Sequence, residues 1–226
     1  AKAMKGEIDG GKWEREYHQK QDARKTVEQF GDDLPRIKKT LLTGTSNERL
    51  EALEFIKKNN ITLYQNKTFI AALGESAKDE NADVRANTSL LLGSNFIWGK
   101  TTHPNEVVEI LLQLAKDKDR EVRINTVYYG LSNLTNMSVD VVKQLVEMAL
   151  DPTNDFGRIR WGLGKYADKE MTKKQIKPYL NLEDEKGDLA RRLYREIFSD
   201  DPVSTVQVEE KTPSLRPAGE REGEEK

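Results

Sequence analysis

Residues 79–93 read DENADVRANTSLLLG, and the same frame returns at 117–130 as DKDREVRINTVYYG. Each stretch begins with Asp, continues through a short polar turn and enters an apolar run at an aliphatic-Arg pair. A third copy, DPTNDFGRIRWGLGKYA, begins at Asp151 and carries about three extra residues before its own pair. A frame that recurs at a fixed period is typical of a repeat architecture.

Two fainter copies extend the period to both sides. The first residues of the five pairs are, in chain order, Glu48, Val84, Val122, Ile159 and Leu189, which gives steps of 36, 38, 37 and 30 residues. A period of this length suits two short helices and two turns and is too long for a leucine-rich repeat. Counted from each of these residues, the small, aliphatic and aromatic residues at positions +4, +5, +7 and +8 are predicted to be buried; in the last copy these are only Leu193, Tyr194 and Ile197.

Each unit has a candidate partner helix upstream, with apolar residues at three- and four-residue spacing. The predicted partner helices span Leu34–Leu42, Phe69–Ala77, Val107–Ala115, Val141–Ala149 and Ile176–Leu180. Capping signals precede four of them: Asp33 before Pro35, Thr102 with Pro104, Ser138, and Thr172 with Gln175. The alternating stretch NITLYQ at 60–65 is interpreted as a loop between repeats, because it is short and lies between helical patterns.

The frame of Asp, turn, Val-Arg, small or aliphatic residues and Gly resembles the HEAT repeat, most closely in DVRANTSLLLG at 83–93. The resemblance covers residues 33–199 and implies an all-α, right-handed α-α superhelix of about five helical hairpins. It also implies a structural ladder between neighbouring repeats, built from Asp79, Arg85, Asp117, Arg123, Asp151 and Arg160. The last unit departs from the pattern, with Ala190 in place of Arg.

The two ends of the chain differ from the repeats. Residues 1–11 are predicted to be a flexible N-terminus, and residues 12–199 a repeat domain whose first helix, containing Trp13 and Phe30, caps the array. Residues 200–226 combine many charges with three prolines and few large apolar side chains, which predicts a disordered tail.

Composition excludes several classes of protein. A formal charge of −2 provides no overall positive field for nucleic acid, which is therefore not expected as a partner. No apolar run approaches the roughly 18 residues of a membrane span. The chain has no Cys and only two His, His18 and His103, so neither a metal site nor a cofactor is predicted. For the compartment, a cytoplasmic location is slightly favoured, and an exported mature form is the alternative for a chain that begins at Ala1.

Once the buried positions are assigned, positions +2, +3 and +6 of each second helix point outward. In arrays similar to HEAT repeats the second helices line the concave surface, which is the expected site for an extended protein or peptide. The predicted binding residues are Asn87, Asn125, Tyr128, Trp161, Lys165, Arg191 and Arg195. Under the alternative interpretation, the amides tie repeats together and the aromatic rings only fill space between them. The oligomeric state is left open.

The resemblance leaves one enzymatic alternative to a non-catalytic scaffold. HEAT-like DNA glycosylases exist, and in this chain Trp98 and Trp161 are candidates to grip a damaged base, with Asp155 or Asp168 stabilising charge. The acidic composition argues against that alternative. A di-iron hydroxylase of this architecture needs more His residues than the chain has. We therefore predict a binding scaffold without catalytic residues.

Overall fold

A computed structural model describes residue 29 and residues 31–59, 61, 67–97 and 105–199, with the side chains of residues 95–97 left out. The described residues are entirely helical, which confirms the all-α prediction. The predicted flexible N-terminus, capping helix and tail lie outside the described residues. So do Thr102, Pro104 and all of the 60–65 stretch except Ile61, which is buried.

Ten α-helices form five consecutive hairpins within the described part of the chain. They are α1 (Asp33–Thr43), α2 (Ser46–Lys58), α3 (Lys67–Ser76), α4 (Ala82–Ile97), α5 (Asn105–Leu114), α6 (Arg120–Asn125), α7 (Val139–Ala149), α8 (Phe156–Tyr166), α9 (Lys169–Ile176) and α10 (Glu185–Phe198). Helix α6 continues into a π-helical turn, Thr126–Gly130, and a 3₁₀ turn, Leu131–Asn133, and α9 continues into a 3₁₀ turn at Lys177–Tyr179.

The hairpins stack so that like helices lie side by side. First helices pack on first helices, α1 on α3, α3 on α5 and α7 on α9, while second helices pack in a parallel row from α2 through α4 to α6 and from α8 to α10. The π turn and the 3₁₀ turn that follow α6 join α8 to this second row. A single hairpin cannot cover its own apolar stripe, so each one is buried by its neighbours. One continuous core runs through the stack.

Short polar side chains determine where the helices begin. Thr45 and Glu48 form a reciprocal capping box before α2. The carboxylate of Asp119 accepts the N–H groups of Glu121 and Val122 at the start of α6, and Ser138 accepts the N–H of Val141, which confirms its predicted role. Each cap satisfies backbone donors that have no partner inside the helix.

The prediction for the first helix of the last hairpin was wrong. We predicted Ile176–Leu180 with a cap at Thr172, but α9 begins at Lys169, and Asp168 caps it by accepting the N–H of Met171. Thr172 is buried inside the helix, where its hydroxyl donates to the Asp168 carbonyl. A local capping pattern cannot distinguish a Thr at a helix start from a Thr bonded back to the preceding turn.

Two glycines allow the second helices to approach closely at the middle of the array. A Cβ added to Gly93 would lie 2.4 Å from the Tyr129 carbonyl carbon, and one added to Gly162 would lie 2.6 Å from Ser132 Cβ. Gly162, like Ala86, was predicted to face outward and is buried, whereas Gly164 was predicted to be buried and is exposed. Because Gly162 packs closely on Ser132, the side of α8 that carries Gly162 is buried and Gly164 is left exposed.

Candidate functional site

A ladder of Arg and Asp side chains connects the turns of successive repeats. Asp117 receives two hydrogen bonds from Arg85, at 2.6 Å from Nε and 2.9 Å from Nη2. Nη1 of the same guanidinium donates to the carbonyls of Asp79 and Glu80 in its own turn. Arg85 thus holds its own turn while binding the carboxylate of the next one, a fork geometry that Lys cannot provide.

The Asp of each turn also shapes the turn itself. Oδ1 of Asp79, Asp117 and Asp151 accepts the backbone N–H two residues further along, at 2.8–2.9 Å. Burial opposes ionisation of Asp79 and Asp117, but these bonds and the adjacent Arg side chains outweigh it, so the pKa of each carboxyl lies below its usual value. The pKa of Asp151 is lowered in the same sense, mainly by hydrogen bonds from Thr153 acting against burial.

The ladder changes at its later rungs. Arg123 binds Asn154 and Thr153 at 2.9 Å rather than the carboxylate of Asp151, because the turn that begins at Asp151 is longer and brings these two residues forward. Thr153 relays the contact by donating its hydroxyl to Asp151 at 2.7 Å. Arg160 lies away from the ladder and forms an exposed ion pair with Glu196 at 3.0 Å.

One Arg–Asp contact of the ladder, at the beginning of the array, was not predicted. Arg49 binds the carboxylate of Asp79 at 2.7 Å, and Ser46 donates to the other oxygen of the same carboxylate. Arg49 occupies the same register position as Arg85, one residue after the first residue of its frame, which is the signal that identifies it. The ladder therefore joins the first hairpin to the second.

The second-helix face carries a row of alternating aromatic rings and cations. The Arg158 guanidinium carbon lies 4.6 Å from the ring centre of Tyr128 and 4.2 Å from that of Trp161. The Lys165 ammonium lies 4.8 Å from the Trp161 ring and 5.0 Å from that of Tyr166. We call these five residues the aromatic–cation row. Favourable cation–π geometry joins the π turn after α6 to α8 in one surface.

The π turn positions the exposed end of this row. Tyr128 lies within it and is 48% exposed, whereas its neighbour Tyr129 is half-buried and packs edge-on against it at 5.0 Å. Nη2 of Arg158 donates to the Tyr128 carbonyl at 3.1 Å and to Asn133 Oδ1 at 2.6 Å, while Asn133 donates to the same carbonyl. The carbonyl that the π turn displaces from regular helical bonding is thereby satisfied.

Arg158 and Asn133 were not among the predicted site residues. Arg158 and Trp161 are three positions apart on α8, a spacing that puts both on one helix face, and this was the available signal. Nothing in the sequence indicates the π turn, so the contact with Tyr128 could not be predicted.

The remaining predicted binding residues are placed differently from one another. Asn87 donates to the Asp83 carbonyl of its own helix at 2.9 Å. Asn125 is half-buried at the end of α6. Arg191 donates to the carbonyls of Leu180 and Leu182 and so braces the turn before α10, whereas Arg195 is exposed on that helix.

The carboxylates considered for the glycosylase alternative both serve as helix caps. Asp155 accepts the N–H of Arg158, and Asp168 accepts that of Met171. Trp98, His18 and His103 lie outside the described residues. Among the residues that the structure describes, no group of three or more His, Asp or Glu side chains is arranged to hold a metal ion.

Residues 70–164 match the family model described as HEAT repeats. This segment, which runs from the second to the fourth hairpin, is similar to HEAT repeats. They are commonly protein-interaction scaffolds, and the family is typically non-enzymatic. Neither a curated protein nor a solved structure matches the chain significantly. Over the described residues, none of the helices has the length and apolar character to cross a membrane.

Proposed function

We propose that this protein is a non-catalytic scaffold that binds a protein or peptide partner on its second-helix face, with the aromatic–cation row at the centre of the contact. Its HEAT repeats favour this function, because an array of hairpins presents a long preformed surface on which contacts accumulate. The row is the single observation that carries the proposal for this part of the surface.

The composition of the row suits an interface centre. Tyr, Trp and Arg are the residues that most often dominate binding energy at protein interfaces, and here they adjoin one another on consecutive repeats. Tyr128 offers an exposed ring, and Lys165 an exposed cation.

The row is also held in place before any partner arrives. The bonds from Arg158 to the Tyr128 carbonyl and Asn133 fix the guanidinium between two rings. A surface whose side chains are already ordered loses less conformational entropy on binding, so more of the contact energy remains as affinity.

Not every predicted residue belongs in this surface. Asn87 and Arg191 bond to backbone carbonyls of their own elements, so we leave both out of the proposed contact. Asn125 and Arg195 are retained at its edges, and Leu90, which is half-buried on α4, holds the position of Tyr128 in the preceding repeat.

Site-specific photo-crosslinking tests the proposal. A photoreactive amino acid at Tyr128 is expected to trap a discrete partner in an extract of the source cells, and Lys165→Ala is expected to weaken that trapping. A matched control places the same amino acid at Val139, which is 50% exposed on α7 in the other row of helices. Equal trapping at Tyr128 and Val139, or none at either, would contradict the proposed surface.

A further inference from the structure

The two cations of the aromatic–cation row, unlike several other Arg side chains of the second helices, have no acidic partner among the described residues. Arg49 and Arg85 are bound to carboxylates in the ladder, and Arg192 is bound to Glu196 at 2.7 Å. Arg158 and Lys165, by contrast, form no ion pair with any described carboxylate. The positive charge of this part of the surface is therefore not neutralised by the described residues.

Arg158 has one donor group left for a ligand. Its Nη2 is used by the Tyr128 carbonyl and Asn133, and its Nε is buried without a hydrogen-bond partner. Nη1 makes no hydrogen bond to any described residue and is not shut off from solvent as Nε is. A guanidinium edge of this kind, framed by two rings, is a strong donor to a carboxylate.

Two more cations extend the same charge. Lys165, seven residues after Arg158 on α8, lies against the same Trp161 ring at 4.8 Å. Arg195 occupies the equivalent position of the next repeat on α10, which packs beside α8, and it is exposed with no ion pair to a described carboxylate. The corresponding position at the other end of the array is Glu54, which is exposed.

We infer that the aromatic–cation row binds an acidic segment of a partner protein, with carboxylates at Arg158 and Lys165 and the intervening backbone over Trp161. This inference rests on the proposed function and names the chemistry of the partner. The Arg158 guanidinium carbon and the Lys165 ammonium lie 4.2 and 4.8 Å from the centre of the same Trp161 ring, so the two cationic groups are at most about 9 Å apart. In an extended peptide, side chains two residues apart lie on the same face and about 7 Å from one another. The partner segment therefore carries two carboxylates two residues apart.

Charge complementarity favours an acidic protein segment over nucleic acid. Nucleic-acid binding depends on many phosphate contacts made by a broad basic surface. Here the cations of the proposed contact are only Arg158, Lys165 and Arg195, and the first two lie against aromatic rings, on a chain whose formal charge is −2 and whose sequence pI is about 5.9.

Fluorescence anisotropy on the full chain tests the inference with defined probes. The probes are a dye-labelled peptide with two Glu residues two positions apart, a twin with Gln at both positions, and a DNA duplex of similar length. The acidic peptide is expected to bind and the Gln twin is not. K165Q is expected to weaken binding by up to about fivefold, the limit for one exposed ion pair, and K165Q combined with R195Q by more. Added salt is expected to weaken it further.

K143Q is the matched control, because it removes the same charge from an exposed Lys on α7 in the other row of helices. Equal binding of the Gln twin, or an equal effect of K143Q, overturns the inference. Tighter binding of the duplex with the same dependence on Lys165 overturns it in favour of nucleic acid. If the acidic peptide fails to bind while crosslinking at Tyr128 persists, the inference fails and the proposed function stands. If both fail, both are refuted.

Discussion

Replacing Asp117 with Ala tests whether the Arg–Asp ladder holds the stack together. The change removes both oxygens that Arg85 binds, and the acceptor for the backbone N–H of Asp119. The side chain of Arg85 is only 7% exposed and that of Asp117 10%, so the guanidinium would be left charged in a site that water hardly reaches.

The expected loss follows from that burial. Removing one member of a buried ion pair costs about 3–5 kcal/mol, because the other charge stays without a partner. Arg85 keeps its bonds to the carbonyls of Asp79 and Glu80, which favours the lower end, about 3 kcal/mol. For a chain of this size, that corresponds to a fall in melting temperature of about 6–12 °C.

Urea unfolding followed by circular dichroism is the assay, with the midpoint and the slope fitted separately. The control is Glu75→Ala, which removes the partner of Lys78 from a pair whose side chains are 49% and 56% exposed. That exposed pair is expected to contribute less than about 1 kcal/mol. Arg85→Met and the double variant complete a cycle, in which we expect a coupling energy of at least about 1.5 kcal/mol.

The reasoning is refuted if Asp117→Ala lowers the free energy of unfolding by less than about 1 kcal/mol, or by no more than Glu75→Ala does. Removing one member of an ion pair as buried as this one has a larger effect. If Asp117→Ala loses the expected stability but shows no coupling energy with Arg85→Met, Asp117 stabilises the fold only through its own turn.

Three further outcomes are expected. Because the pKa values of Asp79, Asp117 and Asp151 are lowered in the folded protein, their ionised carboxylates stabilise the fold fully above the unfolded Asp pKa of about 3.9. This stabilisation is lost as the pH falls through the folded pKa values. Urea midpoints measured from pH 7 to pH 3 test this, and a midpoint that stays constant below pH 4 would contradict it. Gly162→Ala is expected to destabilise the fold by at least about 1–3 kcal/mol, because the added Cβ would clash with Ser132. Gly164→Ala is expected to stabilise the fold by up to about 1 kcal/mol, because its added Cβ meets nothing within 4 Å. Melting temperatures of the two variants that move in the same direction would refute this placement of α8. Alkylated duplex DNA should release no base when incubated with the protein, and release that disappears with Asp155→Asn would establish the enzymatic alternative.

Most of the fold could be predicted because its signals are local and repeated. The return of Asp, turn and aliphatic-Arg at Val84, Val122 and Ile159 predicted the second helices, and four of the five first helices lie where apolar periodicity indicated. The exception, α9, was misplaced because the capping signal at Thr172 was ambiguous. The positions predicted to be buried are buried or half-buried except Gly164, whereas Ala86 and Gly162, which were predicted to face outward, are buried.

The candidate site was only partly predictable. Outward positions on the second helices identified Tyr128, Trp161 and Lys165, which belong to one surface. Arg158 was missed, although it contacts both Tyr128 and Trp161, because its partners include a carbonyl that becomes available only at the π turn.

By itself the sequence determined the repeat period, the turn residues and the apolar stripes, because these depend on interactions within a few residues of chain. Tertiary structure alone decided which acceptor each Arg would reach. Arg85 binds the Asp of the next turn, whereas Arg123 binds Thr153 and Asn154 and Arg160 binds Glu196. A hydrogen bond requires that the distance between donor and acceptor be correct to within a few tenths of an ångström. The packed stack, rather than any one segment, sets the position of the neighbouring repeat to that precision.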